Sequence, residues 1–227
     1  MKTIFFDLDN TLLDFDRGEA NAIAKALGAF GLEPTPAVLE RYHAINRSQW
    51  ELLEKGVLTK EQVLVRRFDL LFHELGAACD SRAVCDLYER MLAEEHTLLP
   101  GAMELLTKLS PRYGLYLATN GTSAVQRRRL VDAGIASYFR QVFISEEVGF
   151  YKPHPRFFAA CFAAIPGFDA ADALMVGDSL TSDIRGGRDA GLRTCWFVPH
   201  GHPAQGAILP DYTITALSQL PSLLETL

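Results

Sequence analysis

The stretch KTIFFDLDNTLLDF, residues 2–15, decides the interpretation of the whole chain. Residues 3–7 are predicted to form a buried strand, because residues 3–6 are all β-branched or aromatic. The strand runs directly into Asp7 and Asp9, which are separated by one residue. A carboxylate loses its hydration on burial, so acids at the end of such a strand are costly unless something compensates their charge. The stretch therefore predicts a functional edge at the carboxyl end of the first strand.

Four later segments repeat this pattern and predict a parallel sheet. Each is a short apolar run rich in Ile, Val, Phe, Tyr and Leu, bounded by Gly, Asp, Asn or Pro. Helical patterns lie between them, and such alternation is typical of right-handed βαβ units. We therefore expect an α/β fold, a doubly wound parallel sheet of the Rossmann-like type. The four segments are residues 113–119, 141–145, 173–178 and 194–198.

Residues 15–96 interrupt the alternation and have helical apolar spacing. About four helices fit, separated at GLEPTP, KGVLT and GAACDS. We therefore expect a Rossmann-like core of residues 1–14 and 97–227, with an all-helical domain, residues 15–96, inserted after the first strand. One predicted helix face carries Ala20, Ile23, Ala24, Leu27 and Phe30, and another carries Leu64, Phe68, Leu71, Phe72 and Leu75.

Composition narrows the class of protein. Of 227 residues, 48% are hydrophobic and 22% charged, which indicates a folded chain. No apolar run reaches membrane-spanning length, and a net charge of −6 argues against a nucleic-acid-binding surface. The four cysteines lack CxxC spacing and resemble buried apolar residues, which suits a reducing compartment. We therefore expect a cytoplasmic protein with no membrane or nucleic-acid partner.

The predicted strand ends bring several acids together. In open α/β sheets the ligand crevice lies outside the carboxyl ends of the strands, so residues that follow different strands converge there. Carboxylates in one small cleft repel one another unless a cation offsets their charge. Hard carboxylate oxygens together with a phosphate favour Mg²⁺, and Lys152 in the segment GFYKPHP supplies a further positive charge. The converging residues are Asp7, Asp9, Asp178 and Asp183, with Thr119 at the end of the second strand.

Four short motifs lie in order at these strand ends: DLDNT at 7–11, ATNG at 118–121, KP at 152–153 and GDSLTSD at 177–183. They resemble the four motifs of the haloacid dehalogenase-like hydrolases, in the phosphatase branch that carries a helical cap. The resemblance covers nearly the whole chain. The helical insert is similar to that family's cap, which is expected to close over the site and contact the leaving group.

The resemblance implies a role for each acid. Asp7 would attack the phosphorus atom in line and become an aspartyl phosphate. Asp9 would protonate the leaving oxygen and later take a proton from water. Mg²⁺ would be bound by Asp7, the backbone carbonyl of Asp9 and Asp178. Asp183 would support metal-bound water or Lys152 without binding the metal itself.

The resemblance also implies a phosphate-binding set. Thr119, with backbone N–H groups near Asn120 and Gly121, would hold the phosphoryl oxygens. Lys152 would restrain Asp7 and offset the charge that develops during transfer. The implied function is a Mg²⁺-dependent phosphomonoester hydrolase acting on a small molecule, with catalysis mainly by positioning and charge stabilisation.

Other functions remain open on the same residues. The family's dehalogenases lack an acid at the position of Asp9 and need no Mg²⁺, so Asp9 favours phosphate chemistry. A phosphomutase uses the same two acids, whereas phosphonate hydrolysis is disfavoured because no lysine of the insert is placed to form an imine. A binding protein without turnover commonly loses a nucleophile, an acid or a metal ligand, and all of these are present here.

The substrate prediction rests on three further segments. Residues 42–59, 144–153 and 186–197 are similar to the bacterial 5′-nucleotidases that act on pyrimidine nucleoside monophosphates. Phe15 and Trp50 would stack on the base, although Trp50 equally suits packing within the insert, and Asn46 would hydrogen-bond the base edge. The competing prediction is a sugar phosphatase that resembles N-acetylneuraminate 9-phosphatase.

Two remaining polar segments are interpreted without a function. QRRRL, residues 126–130, is predicted to be a solvated helix face. HGH, residues 200–202, lies in a segment of Gly and Pro with spacing unsuited to zinc, and is predicted to be a surface loop.

Overall fold

The computed structural model describes residues 2–199 and 208–227, and the chain divides into two compact units. One unit comprises residues 1–14 and 96–227, and the other comprises residues 15–95. His96 thus belongs to the first unit, one residue away from the boundary expected from the sequence. The HGH segment lies outside the described residues. No helix in the described part of the chain is both long and apolar enough to cross a membrane.

The first unit is built on a parallel sheet. Among the described residues the sheet has six strands in the order β3-β2-β1-β4-β5-β6. The five predicted strands are present, and the acids that were placed inside β1 and β4 lie just beyond their ends. The sixth strand was not predicted. The strands are β1 Thr3–Phe6, β2 Gly114–Thr119, β3 Gln141–Ile144, β4 Ala173–Gly177, β5 Arg193–Phe197 and β6 Tyr212–Ile214.

Residues 15–95, all of which the structure describes, form four helices, as the spacing predicted. The third begins with a reciprocal cap between Thr59 and Gln62 and ends at Gly76, whose φ of 62° is readily adopted by glycine. The predicted faces were wrong at their ends, because Phe30 is 37% exposed and Leu75 41% exposed. The helices are α1 Phe15–Ala29, α2 Pro36–Glu54, α3 Lys60–Leu75 and α4 Ser81–Leu92.

Helices cover both faces of the sheet. Side chains alternate along a strand, so Ile4 and Phe6 join one hydrophobic core while Phe5 joins another. Burial on both faces explains why the strands are continuous apolar runs instead of alternating ones. The expected doubly wound α/β class is therefore confirmed. The remaining helices are α5 Ala102–Leu109, α6 Ser123–Asp132, α7 Ser145–Val148, α8 Pro155–Ala163, α9 Arg185–Asp189 and α10 Leu220–Leu224. The four cysteines are free.

Candidate active site

The candidate site lies at the carboxyl edge of the sheet, where the strand order reverses. β1 lies between β2 and β4. From β2 the chain continues to β3 at one edge of the sheet, and from β4 it continues to β5 toward the other edge. Phe6 at the end of β1 is in register with Val176 on β4, so the residues that follow both strands emerge side by side. Ligand crevices of doubly wound sheets form at such a reversal. Asp7 and Asp178 are therefore neighbours because of the topology.

Three carboxylates meet at this edge. Asp7, Asp178 and Asp183 each offer an oxygen, and these oxygens lie within 4.8 Å of one another; we call this group the acidic cluster. Mg²⁺ binds oxygens at about 2.1 Å, so two ligands of one ion are at most about 4.2 Å apart. The 4.8 Å limit on the oxygens of the acidic cluster is close to that spacing. The donor set is thus suited in chemistry and distance to a hard divalent cation.

Lys152 neutralises part of the acidic cluster. Its side chain is 1% exposed, and its ammonium group donates hydrogen bonds of 2.6 Å to Asp7 Oδ1, Asp183 Oδ1 and the backbone oxygen of Ala118. An ammonium group has three N–H donors, so these contacts use its full capacity. Lys152 therefore holds Asp7 and Asp183 by hydrogen bonds, and it can act on a bound substrate only through its charge.

Burial and mutual repulsion raise the pKa of two members of the acidic cluster, Asp7 and Asp178. Burial raises the pKa of Asp7 to about 7, against the lowering effect of the Lys152 charge and with smaller contributions from Asp183 and Asp9. The pKa of Asp178 is also raised, first by burial and then by Asp7 and Asp183. Burial lowers the pKa of Lys152, but Asp183 and Asp7 outweigh it and the net shift is upward. These directions mean that a further cation at the acidic cluster would relieve repulsion.

Asp183 is fixed by two hydrogen bonds. Its Oδ1 accepts from Lys152, and its Oδ2 accepts from the backbone N–H of Ser179 at 3.1 Å. A Cβ at Gly177 would lie 2.2 Å from Asp183 Oδ2, so the position has to be glycine for this carboxylate to fit. Asp183 thus contacts Lys152 directly, and its supporting role in catalysis stays a prediction.

Thr119 is arranged as a hydrogen-bond donor. Its buried Oγ1 accepts from the backbone N–H of Gly121 at 3.2 Å and from Nε2 of Gln126 at 2.9 Å. A hydroxyl oxygen has two lone pairs, so two accepted bonds leave its own O–H to be donated. The side-chain amide of Asn120 binds the backbone of Lys152, donating to its C=O and accepting from its N–H.

Asp9 is held by two residues that the sequence analysis did not assign to the site. Arg129 Nη1 donates to Asp9 Oδ1 at 2.5 Å, and Gln126 Nε2 donates to Asp9 Oδ2 at 2.7 Å. Both residues are 1% exposed, so the prediction that residues 126–130 form a solvated face is wrong for them. It is right for Arg127 and Arg128, which are exposed and form ion pairs on the surface.

The predicted base-contacting residues lie in the helical unit. Asn46 is 3% exposed; its Oδ1 accepts from Trp50 Nε1 and Arg67 Nη1, and its Nδ2 donates to Glu19. An Asn amide has two donors and two acceptor positions, so one N–H remains for the predicted contact with a base edge. Trp50 is half-buried, and Phe15 is the first residue of α1. Contact of these residues with a base stays a prediction.

Comparison with known proteins identifies the family. The family model for the haloacid dehalogenase-like hydrolases matches residues 1–191. The chain belongs to this family. The crystal structure of the hydrolase YfnB of Bacillus subtilis, bound to magnesium, has a TM-score of 0.94 to this member of the family, with 38% identity and coverage of 98% of both chains.

Two relatives of this haloacid dehalogenase-like hydrolase are nucleotidases. Pyrimidine 5′-nucleotidase PynA of Streptococcus pneumoniae is 38% identical over 220 residues, which are 96% of this chain and 93% of PynA. Pyrimidine 5′-nucleotidase YjjG of Escherichia coli is 34% identical over 221 residues, 97% of this chain and 96% of YjjG. The family resemblance expected from the four motifs is confirmed.

Proposed function

We propose that this hydrolase cleaves phosphomonoesters through an aspartyl phosphate on Asp7. The observation that carries the proposal is the hydrogen bond from Lys152 to Asp7, which fixes a buried carboxylate of the acidic cluster at the carboxyl edge of the sheet. Carboxylates are effective nucleophiles toward phosphorus when they are positioned in line.

The proposed reaction has two steps. An oxygen of Asp7 forms a bond to phosphorus while the bond between phosphorus and the leaving oxygen breaks, and Asp9 gives its proton to that oxygen. Asp9 then takes a proton from water, whose oxygen attacks phosphorus and releases inorganic phosphate from Asp7. Each step leaves Asp9 in the protonation state that the other requires, so one residue serves as acid and base.

The phosphoryl oxygens are stabilised by groups at the end of β2 and by Lys152, which lies between α7 and α8. The O–H of Thr119 is the donor that we assign to them, together with the backbone N–H of Asn120. Lys152 contributes its charge, since its three N–H groups are used by Asp7, Asp183 and Ala118. Gly121 was expected to donate as well, but its N–H is directed at Thr119.

Mg²⁺ is the cofactor that we propose, bound by Asp7, Asp178 and the backbone carbonyl of Asp9. The acidic cluster supplies hard oxygen donors at a suitable spacing. When bound, the ion would offset negative charge on the phosphoryl oxygens. Asp183 stays outside this set because its oxygens accept from Lys152 and Ser179.

We assign pyrimidine nucleoside monophosphates as substrates. This choice is supported by the identities of 38% and 34% to the two pyrimidine 5′-nucleotidases over nearly the whole chain. Trp50 and Phe15 are the aromatic side chains that we propose for stacking on the base. The remaining N–H of Asn46 is the group proposed for its edge.

A parallel substrate panel tests this assignment. Release of phosphate from UMP, dUMP, dTMP, purine nucleotides and sugar phosphates, including N-acetylneuraminate 9-phosphate, is compared as kcat/KM with Mg²⁺ and with EDTA. We expect pyrimidine nucleotides to be cleaved best and EDTA to stop the reaction. A ranking led by sugar phosphates would refute the nucleotide assignment while leaving the phosphatase chemistry intact.

Two variants accompany the panel. Asp7→Asn keeps the size of the side chain and removes the nucleophile, so it should abolish turnover of every ester. Asp172→Asn is the matched control, because Asp172 precedes β4 at the opposite edge of the sheet and pairs with Lys2 on the surface. Full activity in Asp7→Asn would contradict the proposed mechanism.

A further inference from the structure

We propose that Gln126 and Arg129 are positioning residues that fix the carboxylate of Asp9 and the hydrogen-bond direction of Thr119. The proposal rests on the function proposed above, in which Asp9 is the general acid and base. It assigns to α6 a part in the chemistry, although neither residue is placed to touch the reacting atoms. Within α6 the two are three residues apart and therefore lie on the same face.

The two side chains form one connected network with Asp9. Arg129 Nη1 donates both to Asp9 Oδ1 and to Gln126 Oε1, at 2.5 and 2.9 Å. Gln126 Nε2 donates both to Asp9 Oδ2 and to Thr119 Oγ1, at 2.7 and 2.9 Å. Each carboxylate oxygen of Asp9 therefore has its own donor, which restrains rotation of the carboxylate about its terminal bond.

Arg129 determines which way the amide of Gln126 points. A guanidinium group only donates hydrogen bonds, so the amide atom that faces Arg129 has to be the acceptor Oε1. The donor Nε2 is then turned toward Asp9 and Thr119. Because Thr119 accepts from Nε2 and from the N–H of Gly121, its own O–H is left to be donated to a phosphoryl oxygen. A single arginine thus sets the orientation of two groups of the site.

The backbone is adapted to this network. A Cβ at Gly121 would lie 2.2 Å from Gln126 Nε2 and 2.5 Å from its Cδ, so only glycine leaves room for the amide. Gln126 and Arg129 are each 1% exposed, whereas the neighbouring Arg128 is 55% exposed in its side chain. A buried arginine with its charge directed at one carboxylate is costly unless it is paired. The arrangement therefore differs from an ordinary surface ion pair.

A positioning role and a purely structural role differ in their dependence on the leaving group. A misplaced general acid slows esters whose leaving oxygen needs a proton, and has little effect on esters whose leaving group departs as a stable anion. General loss of structure slows both. The ratio of kcat/KM between the two kinds of ester reports on the first step alone, since kcat/KM covers events up to formation of the aspartyl phosphate.

The experiment compares phenyl phosphate with 2,4-dinitrophenyl phosphate, which share an aromatic frame and require no nucleotide specificity. The variants are Arg129→Met, Arg129→Lys, Gln126→Met and the reference Asp9→Asn, with Arg128→Met as the control on the same helix. Circular dichroism establishes that each is folded. Should Arg129→Met not fold, Gln126→Met carries the test, because it removes the same bridge without leaving Asp9 lacking a cation.

We expect Arg129→Met and Gln126→Met to lower kcat/KM for phenyl phosphate about 100-fold and for 2,4-dinitrophenyl phosphate less than about 10-fold. Arg129→Lys should recover part of the loss, and Arg128→Met should match wild type. The proposal would be overturned if Arg129→Met and Gln126→Met lowered kcat/KM equally for both esters, or lowered it for neither, while Asp9→Asn slowed phenyl phosphate more than 2,4-dinitrophenyl phosphate. Absence of discrimination in Asp9→Asn would instead refute the proposed function of Asp9.

Discussion

Replacement of Asp178 by Asn tests whether the acidic cluster is a metal site. The substitution keeps the shape of the side chain and removes one negative charge from the group formed with Asp7 and Asp183. If the three carboxylates are held together for a cation, the protein without metal is destabilised by their repulsion. We therefore expect Asp178→Asn to be more stable than wild type in EDTA and to lose the stabilisation that Mg²⁺ gives.

The magnitude follows from the spacing. The oxygens of the acidic cluster lie no more than 4.8 Å apart, and two unit charges at that separation repel by about 3 kcal/mol at an effective dielectric constant of 20. The free energy of unfolding in EDTA should therefore rise by about 3 kcal/mol in the variant at pH 8. For wild type, Mg²⁺ at 100 times its dissociation constant should add about 2.7 kcal/mol, and for the variant close to none.

Urea unfolding at pH 8, followed by circular dichroism with EDTA or Mg²⁺, measures both quantities. Asp172→Asn is the control and should leave both unchanged, because its partner Lys2 is on the surface. The reasoning would be refuted if Asp178→Asn were less stable than wild type in EDTA. It would equally be refuted if Mg²⁺ stabilised the variant as much as it stabilises wild type.

Three further outcomes are expected. A carboxyl group whose pKa is raised in the folded protein stabilises that protein at low pH, and this contribution is lost as the pH rises through the folded pKa. Urea unfolding in EDTA should therefore show a free energy of unfolding that falls between about pH 4 and 7, where Asp7 titrates. A flat profile would contradict the raised pKa. Lys152→Met leaves the buried carboxylates of Asp7 and Asp183 without their cation, so it should lower the free energy of unfolding by about 3 kcal/mol and abolish turnover. An active variant as stable as wild type would count against the importance of these two ion pairs. Gly121→Ala should displace the Gln126 amide and reduce kcat/KM about 10- to 100-fold. Gly28→Ala is the control and should keep the wild-type kcat/KM, because a Cβ at that position meets nothing within 4 Å. Equal activities of the two variants would count against the network of Gln126, Arg129 and Asp9.

The main features of the sheet edge could be predicted from sequence because they depend on order along the chain. Asp7 and Asp178 follow apolar runs, and the topology of parallel sheets brings such positions together. β6 was missed since it is a three-residue strand at the edge of the sheet, too short for an apolar pattern to stand out.

The buried polar residues could not be predicted because their partners are distant in sequence. Arg129 lies in a run of charged residues that is typical of a solvated helix face, and only contact with Asp9, 120 residues away, explains its burial. Asn46 was predicted to contact a base edge, which stays a prediction, but its hydrogen bonds with Arg67, 21 residues away, and Glu19, 27 residues away, were not predicted. Apolar periodicity carries no information about polar groups that are satisfied by tertiary contacts.

Trapping the phosphoryl group tests the central claim most directly. Asp9→Asn lacks the base for the second step, so the aspartyl phosphate should accumulate when this variant reacts with 2,4-dinitrophenyl phosphate. Rapid quenching in acid should then capture it. Mass spectrometry should place the phosphoryl group within the tryptic peptide of residues 3–17. The account predicts one phosphoryl group for each chain, located on Asp7. Phosphate release without a phosphorylated peptide, or a phosphoryl group on another residue, would contradict it.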